Sequence, residues 1–226
     1  MALVSPVFVA AHDFVFDPIV RLDTLTASRG VMRVKPGGLD TPDARLTDRE
    51  AAKQLFLAMV AAHAASPQSD LVRFVWADPV FGIYPGFHMA SEVGDVVFVL
   101  DDPTKLSDEA DLTLLMSGDS RFCLPYCDDF YEYLTGVSDD IVNQTRYVRL
   151  EGEILDDPAR VTEAKDVCRS LRYEPIAWNA TSDAQLDRLY SLGVRYAKAP
   201  DLFPTRPVKE LFSLKGETDG PPIFDD

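Results

Sequence analysis

The sequence predicts an α/β fold in which strands alternate with helices, and its length suits one (β/α)8 barrel of the TIM type. Residues 147–197 read as strand, helix, strand, helix, strand, which is the order of parallel β-α units. The runs at 71–76 and 96–100 are almost continuously apolar, as in strands buried on both faces. The chain has 226 residues, 46% of them hydrophobic, which is enough for one large domain with a substantial core.

The amino-terminal part is predicted to open with antiparallel strands. Apolar runs at 7–10, 14–16 and 18–22 lead towards a further run at 31–34, and together they indicate a β-hairpin-like start. Prolines and glycines cluster in the loop that follows, at 35–46.

Two helices are expected between this hairpin and residue 120. Thr47 and Glu50 form a capping box for the first helix, because a threonine and a glutamate three residues apart can satisfy each other's backbone donors. The second helix should begin at Ser107 and end near Gly118. A strand at 122–124 follows, and its carboxyl-terminal loop lies around Asp128.

The carboxyl-terminal part carries the strongest local signals. Asp157 followed by Pro158 supplies an N-cap and a proline in the first turn, so a helix should begin at Pro158. Ser182 and Gln185 form a capping box that starts a second helix, which ends near Gly193. The strands around these helices are expected at 147–150, 175–178 and 194–197.

The charge balance limits the classes of partner. The formal net charge is -15, whereas nucleic acids and anionic membrane surfaces bind basic faces, so no nucleic acid and no membrane partner is expected. A protein with a basic patch is a better match. No apolar run approaches the roughly 20 residues of a membrane span, and the apolar start of the chain has no basic leader. We therefore expect an unprocessed cytoplasmic protein.

The cysteines do not indicate a disulfide framework or a metal site. Cys123, Cys127 and Cys168 are an odd number in a chain of this size, which favours thiols in a reducing compartment. Cys123 and Cys127 lack a second pair of ligands, so a structural zinc site is not expected.

Several short motifs resemble those of one known family in order and spacing. Arg206-Pro207 resembles a final Arg-Pro motif. The other segments, each with the family motif it resembles or replaces, are 16–22 (Tyr-Gln-Pro-Ile-Val-Asp-Leu), 29–33 (Glu-Ala-Leu-Leu-Arg), 128–130 (Asp-Asp-Phe-Gly), 149–151 (Lys-Ile-Asp) and 177–182 (Ala-Glu-Gly-Val-Glu-Thr). Over residues 14–212 the chain thus resembles the EAL domain of bacterial cyclic-di-GMP phosphodiesterases, which implies a TIM-like barrel of the EAL type. We predict a strand extension at 1–13, the barrel at 14–214 and an acidic disordered tail at 215–226.

The chemistry that the resemblance implies is largely missing. In active members, glutamates, an asparagine and aspartates hold two divalent metals that activate water, and a lysine helps to orient or deprotonate it. Here the lysine is Arg149, which cannot act as a base because a guanidinium stays protonated. Only Asp128, Asp129 and Glu151 survive as ligands, too few for two Mg²⁺ ions. The other family positions fall on Arg29, Trp76, Leu100 or Asp101, Trp178, Thr181 and Lys198. Neither a resident metal nor another cofactor is therefore expected.

Two uses stay open for the mouth of the predicted barrel, which is the end formed by the carboxyl ends of its parallel strands. In the first, its cations hold the phosphates of cyclic-di-GMP without metal, and its tryptophan stacks on a purine. In the second, its arginines pair with its acids, and the tryptophan fills the emptied space. The residues of this predicted site are Arg29, Arg33, Asp128, Asp129, Arg149, Glu151, Trp178 and Lys198.

The sequence therefore predicts a non-catalytic regulatory or scaffold protein that acts through protein-protein contacts. The family resemblance implies a role in motility or surface attachment. A metal-independent cyclic-di-GMP receptor is the alternative, and a residual phosphodiesterase ranks third. A dimer is compatible with the sequence.

Overall fold

The protein folds as a closed barrel of mixed strands with helices on its outside, in a computed structural model that describes residues 13–35, 72–76, 96–105 and 121–207. The strands are β1 (Asp13–Arg21), β2 (Thr26–Lys35), β3 (Val72–Trp76), β4 (Val96–Val99), β5 (Arg121–Pro125), β6 (Thr145–Glu151), β7 (Glu174–Trp178), β8 (Tyr196–Lys198) and β9 (Arg206–Pro207). The helices are α1 (Phe130–Thr135), α2 (Asp139–Gln144), α3 (Pro158–Leu171) and α4 (Asp183–Ser191), with 3₁₀ turns at Pro103–Lys105 and Gly152–Asp156.

The barrel closes through β1, which is antiparallel to both of its neighbours. Strands β2 to β8 run parallel to one another in chain order. β1 pairs with β2 on one side, and on the other side β8 pairs with Ile19 to Arg21 while β9 pairs with Val15 and Phe16. The predicted α/β barrel with a hairpin start is therefore confirmed, and β1 is one continuous strand where the sequence suggested separate runs.

Side chains from alternate strands fill the barrel in layers, as in other barrels of this kind. The strand registers place Arg29, Val97, Tyr147 and Tyr196 in a lower layer, nearer the amino-terminal ends of the parallel strands. Above them lie Ile19, Phe74, Cys123 and Ile176, and the next layer towards the carboxyl-terminal mouth holds Val31, Val99, Arg149 and Lys198. Most of the apolar members form one buried cluster. The interior is thus a packed core with a few embedded cations.

A second buried cluster lies between the barrel wall and the helices. The outward-facing Val148 and Leu150 of β6 and Ala177 of β7 pack under α3 and α4. Helix α3 contributes Val161, Ala164 and Cys168, and α4 contributes Leu186 and Leu189. This spacing of three or four residues is the helical apolar stripe that the sequence shows.

The predicted helix starts are confirmed in detail. The Asp157 side chain accepts from the backbone amides of Ala159 at 2.9 Å and Arg160 at 3.3 Å. The Gln185 amide donates to the Ser182 hydroxyl at 3.3 Å. The Gln185 side chain, however, accepts from the amide of Thr181 at 2.9 Å, one residue before the position that a capping box uses.

Some predicted elements differ from the structure or lie outside the described residues. β8 is Tyr196–Lys198, which begins two residues later and ends one residue later than predicted. The short helices α1 and α2 between β5 and β6 were not predicted. The extension predicted at 1–13 lies outside the described residues except for Asp13, which begins β1. The predicted helices at 47–60 and 107–118 and the acidic tail at 215–226 also lie outside the described residues.

Candidate functional site

Arg149 stands inside the barrel near the carboxyl ends of the parallel strands, and acidic groups hold it there. Its Nη2 donates to Oδ1 of Asp101 at 2.6 Å and to the carbonyl of Leu100 at 3.2 Å. Its Nη1 lies 3.7 Å from Oε1 of Glu151. The side chain is only 3% exposed, so these contacts replace most of its hydration. The Arg149–Glu151 pair predicted from the sequence is present, and Asp101 makes the shorter contact.

Lys198 forms a second buried polar cluster in the same layer. Its Nζ donates to Oδ1 of Asn179 at 2.8 Å and lies 3.7 Å from Oδ2 of Asp17. The Thr205 hydroxyl donates to the other oxygen of Asp17 at 2.6 Å. Because Asp17 and Lys198 are both buried, each offsets part of the desolvation cost of the other.

Trp178 fills the space between these clusters and the apolar core. It is 2% exposed and meets Phe74 edge to face, with ring centroids 6.3 Å apart. Nζ of Lys198 lies 5.5 Å from the centroid of its ring. Trp178 is therefore packed into the barrel interior.

Arg29 does not stand at the carboxyl-terminal mouth, and that part of the prediction is wrong. Its guanidinium carbon lies 3.8 Å from the centroid of Tyr196 and 5.8 Å from that of Tyr147, in the lower layer. The β2 residue on the level of Arg149 is Val31. Side chains that point into the barrel recur every two residues along a strand. Arg29 therefore points inward as predicted, but it lies two residues along β2 from the level of Arg149.

The two aspartates after β5 also differ from the predicted arrangement. Asp128 is 70% exposed and pairs with Nη2 of Arg160, a residue of α3 on the outside of the barrel. Asp129 is exposed and immediately precedes α1. Neither makes the predicted pair with Arg29 or Arg149. Arg33 lies in β2 opposite Val15, and its side chain is outside the described part of the structure.

The groups below and beside Arg149 have raised pKa values because they are buried. Burial raises the pKa of Cys123 to about 12, although the nearby Arg149 lowers it. Burial likewise raises the pKa of Tyr126 to about 12 and that of Tyr133 above its usual range. Tyr126 and Tyr133 stack on either side of Phe130, with centroid distances of 5.2 Å and 5.8 Å. These groups stay protonated near neutral pH and are poor nucleophiles or bases there.

The carboxylates of Asp128 and Glu151 lie in separate ion pairs. Among residues 13–35, 72–76, 96–105 and 121–207, no group of three or more His, Cys, Asp or Glu side chains is placed to hold a metal ion. Glu151 faces a guanidinium, while Asp128 points to a different cation on the surface. Two divalent ions need several oxygen ligands that converge, and these carboxylates are spread over separate ion pairs.

Three polar residues of the mouth were missed as site residues by sequence reasoning. They are Asp17, Asn179 and Thr205, which surround Lys198 or its partner. Asp17 did carry a signal, since it interrupts an apolar run. Asn179 has a φ of 62°, a backbone conformation that asparagine tolerates better than most residues. Thr205 directly precedes β9 and carried no recognisable signal of its own.

Comparison with solved structures shows that the chain has the fold of EAL domains. The EAL enzyme Bd1971 with cAMP and cyclic-di-GMP bound superposes with a TM-score of 0.65 at 11% identity, over 90% of this chain and 64% of the Bd1971 chain. The EAL domain of Xanthomonas citri FimX in complex with cyclic-di-GMP gives 0.61 at 14% identity, over 88% and 90%. The EAL-like domain protein YdiV gives 0.57 at 12% identity, over 89% and 95%.

The likeness lies in the fold, at low sequence identity. The chain spans 64% of the Bd1971 chain, less than two thirds of it. No family model matches the sequence, and no curated protein does. Within the described residues, no helix is both long and apolar enough to cross a membrane.

Proposed function

We propose that this protein is a non-catalytic regulatory or scaffold protein built on an EAL-type barrel, and that it acts in the cytoplasm through contacts with other proteins. The observation that carries the proposal is the 2.6 Å contact between Arg149 and Asp101. This contact supports the proposal because it engages a buried guanidinium at the position where the family resemblance implies a lysine.

Hydrolysis of a phosphodiester is disfavoured by the residues at the mouth. Arg149 cannot remove a proton from water near neutral pH. Glu151 and Asp101 both face that arginine, which would repel a divalent cation placed between them. The neighbouring position on β7 is the buried Trp178, which offers no metal ligand.

Metal-independent binding of cyclic-di-GMP is the alternative. Two of the proteins with a similar fold are described as bound to that nucleotide, and Arg149 and Lys198 have the charge to contact phosphates. To do so they would have to exchange Asp101, Asp17 and Glu151 for the ligand, leaving carboxylates without their cations. That cost makes the scaffold function the better proposal.

Calorimetry separates the two proposals. Cyclic-di-GMP is titrated into the protein in EDTA, and into the Arg149→Ala variant as the matched control. The scaffold proposal expects no binding heat from either protein. Saturable heat from the wild type that disappears in the variant would replace it with the receptor function.

A turnover assay tests the remaining possibility. The protein is incubated with cyclic-di-GMP and Mg²⁺ or Mn²⁺, and the linear dinucleotide is sought by chromatography. We expect none. Linear product that requires Glu151, as judged with Glu151→Gln, would show that the mouth hydrolyses the nucleotide and would overturn the proposal.

A further inference from the structure

The amino-terminal end of the barrel, opposite the mouth, carries exposed arginines at or just before the starts of three neighbouring strands. Arg146 lies at the start of β6, Arg172 between α3 and β7, and Arg195 directly before β8. All three are exposed. Because β6, β7 and β8 are neighbours in the sheet and neighbouring strands are about 4.8 Å apart, the three arginines lie on adjacent segments of this end of the barrel.

Hydrogen bonds join the loops of this end into one continuous surface. The Tyr173 hydroxyl, at the start of β7, donates to the carbonyl of Val142 in α2 at 2.9 Å. Nζ of Lys165 donates to the carbonyl of Leu192, after α4, at 2.7 Å. The amide of Leu22 donates to the carbonyl of Arg195 at 2.9 Å, which links β8 to the β1–β2 turn.

Within the described residues, Arg146, Arg172 and Arg195 form no ion pair. Two other arginines at this end are paired, Arg21 with Asp23 at 2.7 Å and Arg169 with Asp166 at 3.5 Å. In contrast, none of the three exposed arginines forms an ion pair with a carboxylate in the described part of the chain. Asp139, Asp140 and Glu174 are also near this end, but no described carboxylate lies within ion-pair distance of the three guanidinium groups.

One of the three guanidinium groups is also held in position. Nη1 of Arg146 donates to the carbonyl of Asn143 at 3.2 Å and to that of Thr145 at 3.1 Å. A side chain that is already ordered loses less conformational entropy when it binds.

Two large apolar side chains stand exposed beside the arginines. Leu25 in the β1–β2 turn is 43% exposed, and Tyr190 in the last turn of α4 is 52% exposed. Gly193, two residues before Arg195, donates its amide to the carbonyl of Tyr190 at 2.9 Å. Tyrosine and arginine are the side chains most enriched among the energetically important residues of protein interfaces.

The backbone provides an independent indication. Leu25 and Arg172 have φ values of 53° and 62°, in the left-handed region that glycine occupies without cost and other residues occupy at about 1 kcal/mol. A long side chain kept at such a position points to a use for that side chain. Both residues lie at this same end of the barrel.

We infer that this amino-terminal face, consisting of Leu25, Arg146, Arg172, Tyr190 and Arg195, binds an acidic segment of a partner protein that carries an apolar or aromatic side chain. The inference rests on the proposed function, since it names the partner chemistry for a scaffold. Carboxylates of the segment pair with the arginines, and its apolar residue covers Leu25 and Tyr190.

The carboxylates of the mouth do not prevent this association. Arg146 and Glu151 are the second and last residues of β6, so about 16 Å of strand separates them. The Debye length at physiological ionic strength is about 8 Å. The charges of the mouth are therefore largely screened from a segment that binds near Arg146.

Fluorescence anisotropy with defined polymers tests the inference on the full chain. The probes are a labelled random copolymer of glutamate and tyrosine, polyglutamate and polylysine, at physiological ionic strength. We expect the copolymer to bind more tightly than polyglutamate, and polylysine not to compete. The double variant Arg146→Glu with Arg195→Glu should weaken copolymer binding about tenfold, since two attractive pairs become repulsive.

Matched variants make the result specific. Arg160→Glu changes the same charge near the mouth and should leave the affinity within about twofold. Tyr190→Ala should weaken binding of the copolymer and leave polyglutamate unchanged. If the double charge reversal impairs folding, as judged by circular dichroism, Arg146→Gln with Arg195→Gln replaces it with a smaller expected loss.

Three results would overturn the inference: no binding of the copolymer, equal binding by the charge-reversed protein, or tighter binding of an RNA oligonucleotide or phosphatidylserine vesicles through the same arginines. None of these results bears on the cyclic-di-GMP titration or the turnover assay, so a failure here is distinguishable from a failure of the proposed function.

Discussion

Arg149 of β6 and Asp101, which follows β4, meet through a 2.6 Å contact between Nη2 and Oδ1. The arginine side chain is 3% exposed and the aspartate side chain 35% exposed. Since Asp101 keeps some contact with water while Arg149 keeps almost none, the loss of either partner has unequal consequences. Removing the aspartate leaves a cation in the core, whereas removing the arginine leaves a carboxylate that water can still reach.

The first prediction follows from this asymmetry. Asp101→Ala should lower the free energy of unfolding by about 2 kcal/mol, because a buried charge loses its nearest counter-charge. Urea unfolding measures the change. Asp201→Ala, at an exposed aspartate, is the control and should change the free energy by less than about 0.5 kcal/mol. Equal effects of the two variants would show that the Arg149–Asp101 pair does not stabilise the mouth.

The three thiols should react at very different rates with a thiol reagent such as DTNB. Cys127 is exposed, whereas Cys123 and Cys168 are buried. We expect one fast thiol in the folded protein and two more only after unfolding, with the fast phase absent in Cys127→Ser. Burial and nearby aspartates raise the pKa of Cys127, so its reaction should be slower than that of free cysteine below pH 9. Two fast thiols would contradict this placement.

The buried thiol of Cys168 also predicts how the free energy of unfolding changes at alkaline pH. Burial raises the pKa of Cys168 from its ordinary 9.0 to about 12. Below pH 9 the thiol is protonated in both folded and unfolded protein. Between pH 9 and pH 12 only the unfolded form releases the proton, so stability falls as pH rises, by up to about 1.4 kcal/mol per pH unit for this group. Urea unfolding at several pH values measures the slope. The free energy of unfolding of Cys168→Ala should fall less steeply than that of the wild type above pH 9. Below pH 9 the two proteins should show the same pH dependence.

Much of the barrel could be predicted from local sequence signals because those signals have local causes. The N-cap at Asp157, the apolar stripe of α3 and the buried runs of β3 and β4 each follow from residues close together in the chain. Helices α1 and α2, each of six residues, were missed because so short a helix is stabilised by tertiary packing more than by its own pattern.

The candidate site was harder to predict because its contacts join distant segments. Asp17 and Thr205 meet across 188 positions of sequence, and no local pattern pairs them. The depth of Arg29 inside the barrel depends on the β1–β2 and β2–β3 registers, which motif spacing alone leaves uncertain by two residues. The resemblance of residues 128–130 to the Asp-Asp-Phe-Gly motif predicts Asp128 in the site, but the cation that holds it, Arg160, lies in the first turn of α3.

The strained end of α3 gives the last prediction. Arg172 caps the helix with a φ of 62°, and its amide and that of Tyr173 donate to the carbonyls of Arg169 and Cys168 at 3.1 Å and 2.8 Å. Glycine adopts this conformation without a Cβ penalty. Arg172→Gly should therefore raise the free energy of unfolding by about 0.5–1 kcal/mol. Arg172→Ala keeps the Cβ and should give no such gain, which makes it the matched control. Thermal and urea unfolding of the three proteins measure the difference, and a destabilised glycine variant would mean that the arginine side chain stabilises the fold by more than the backbone strain costs.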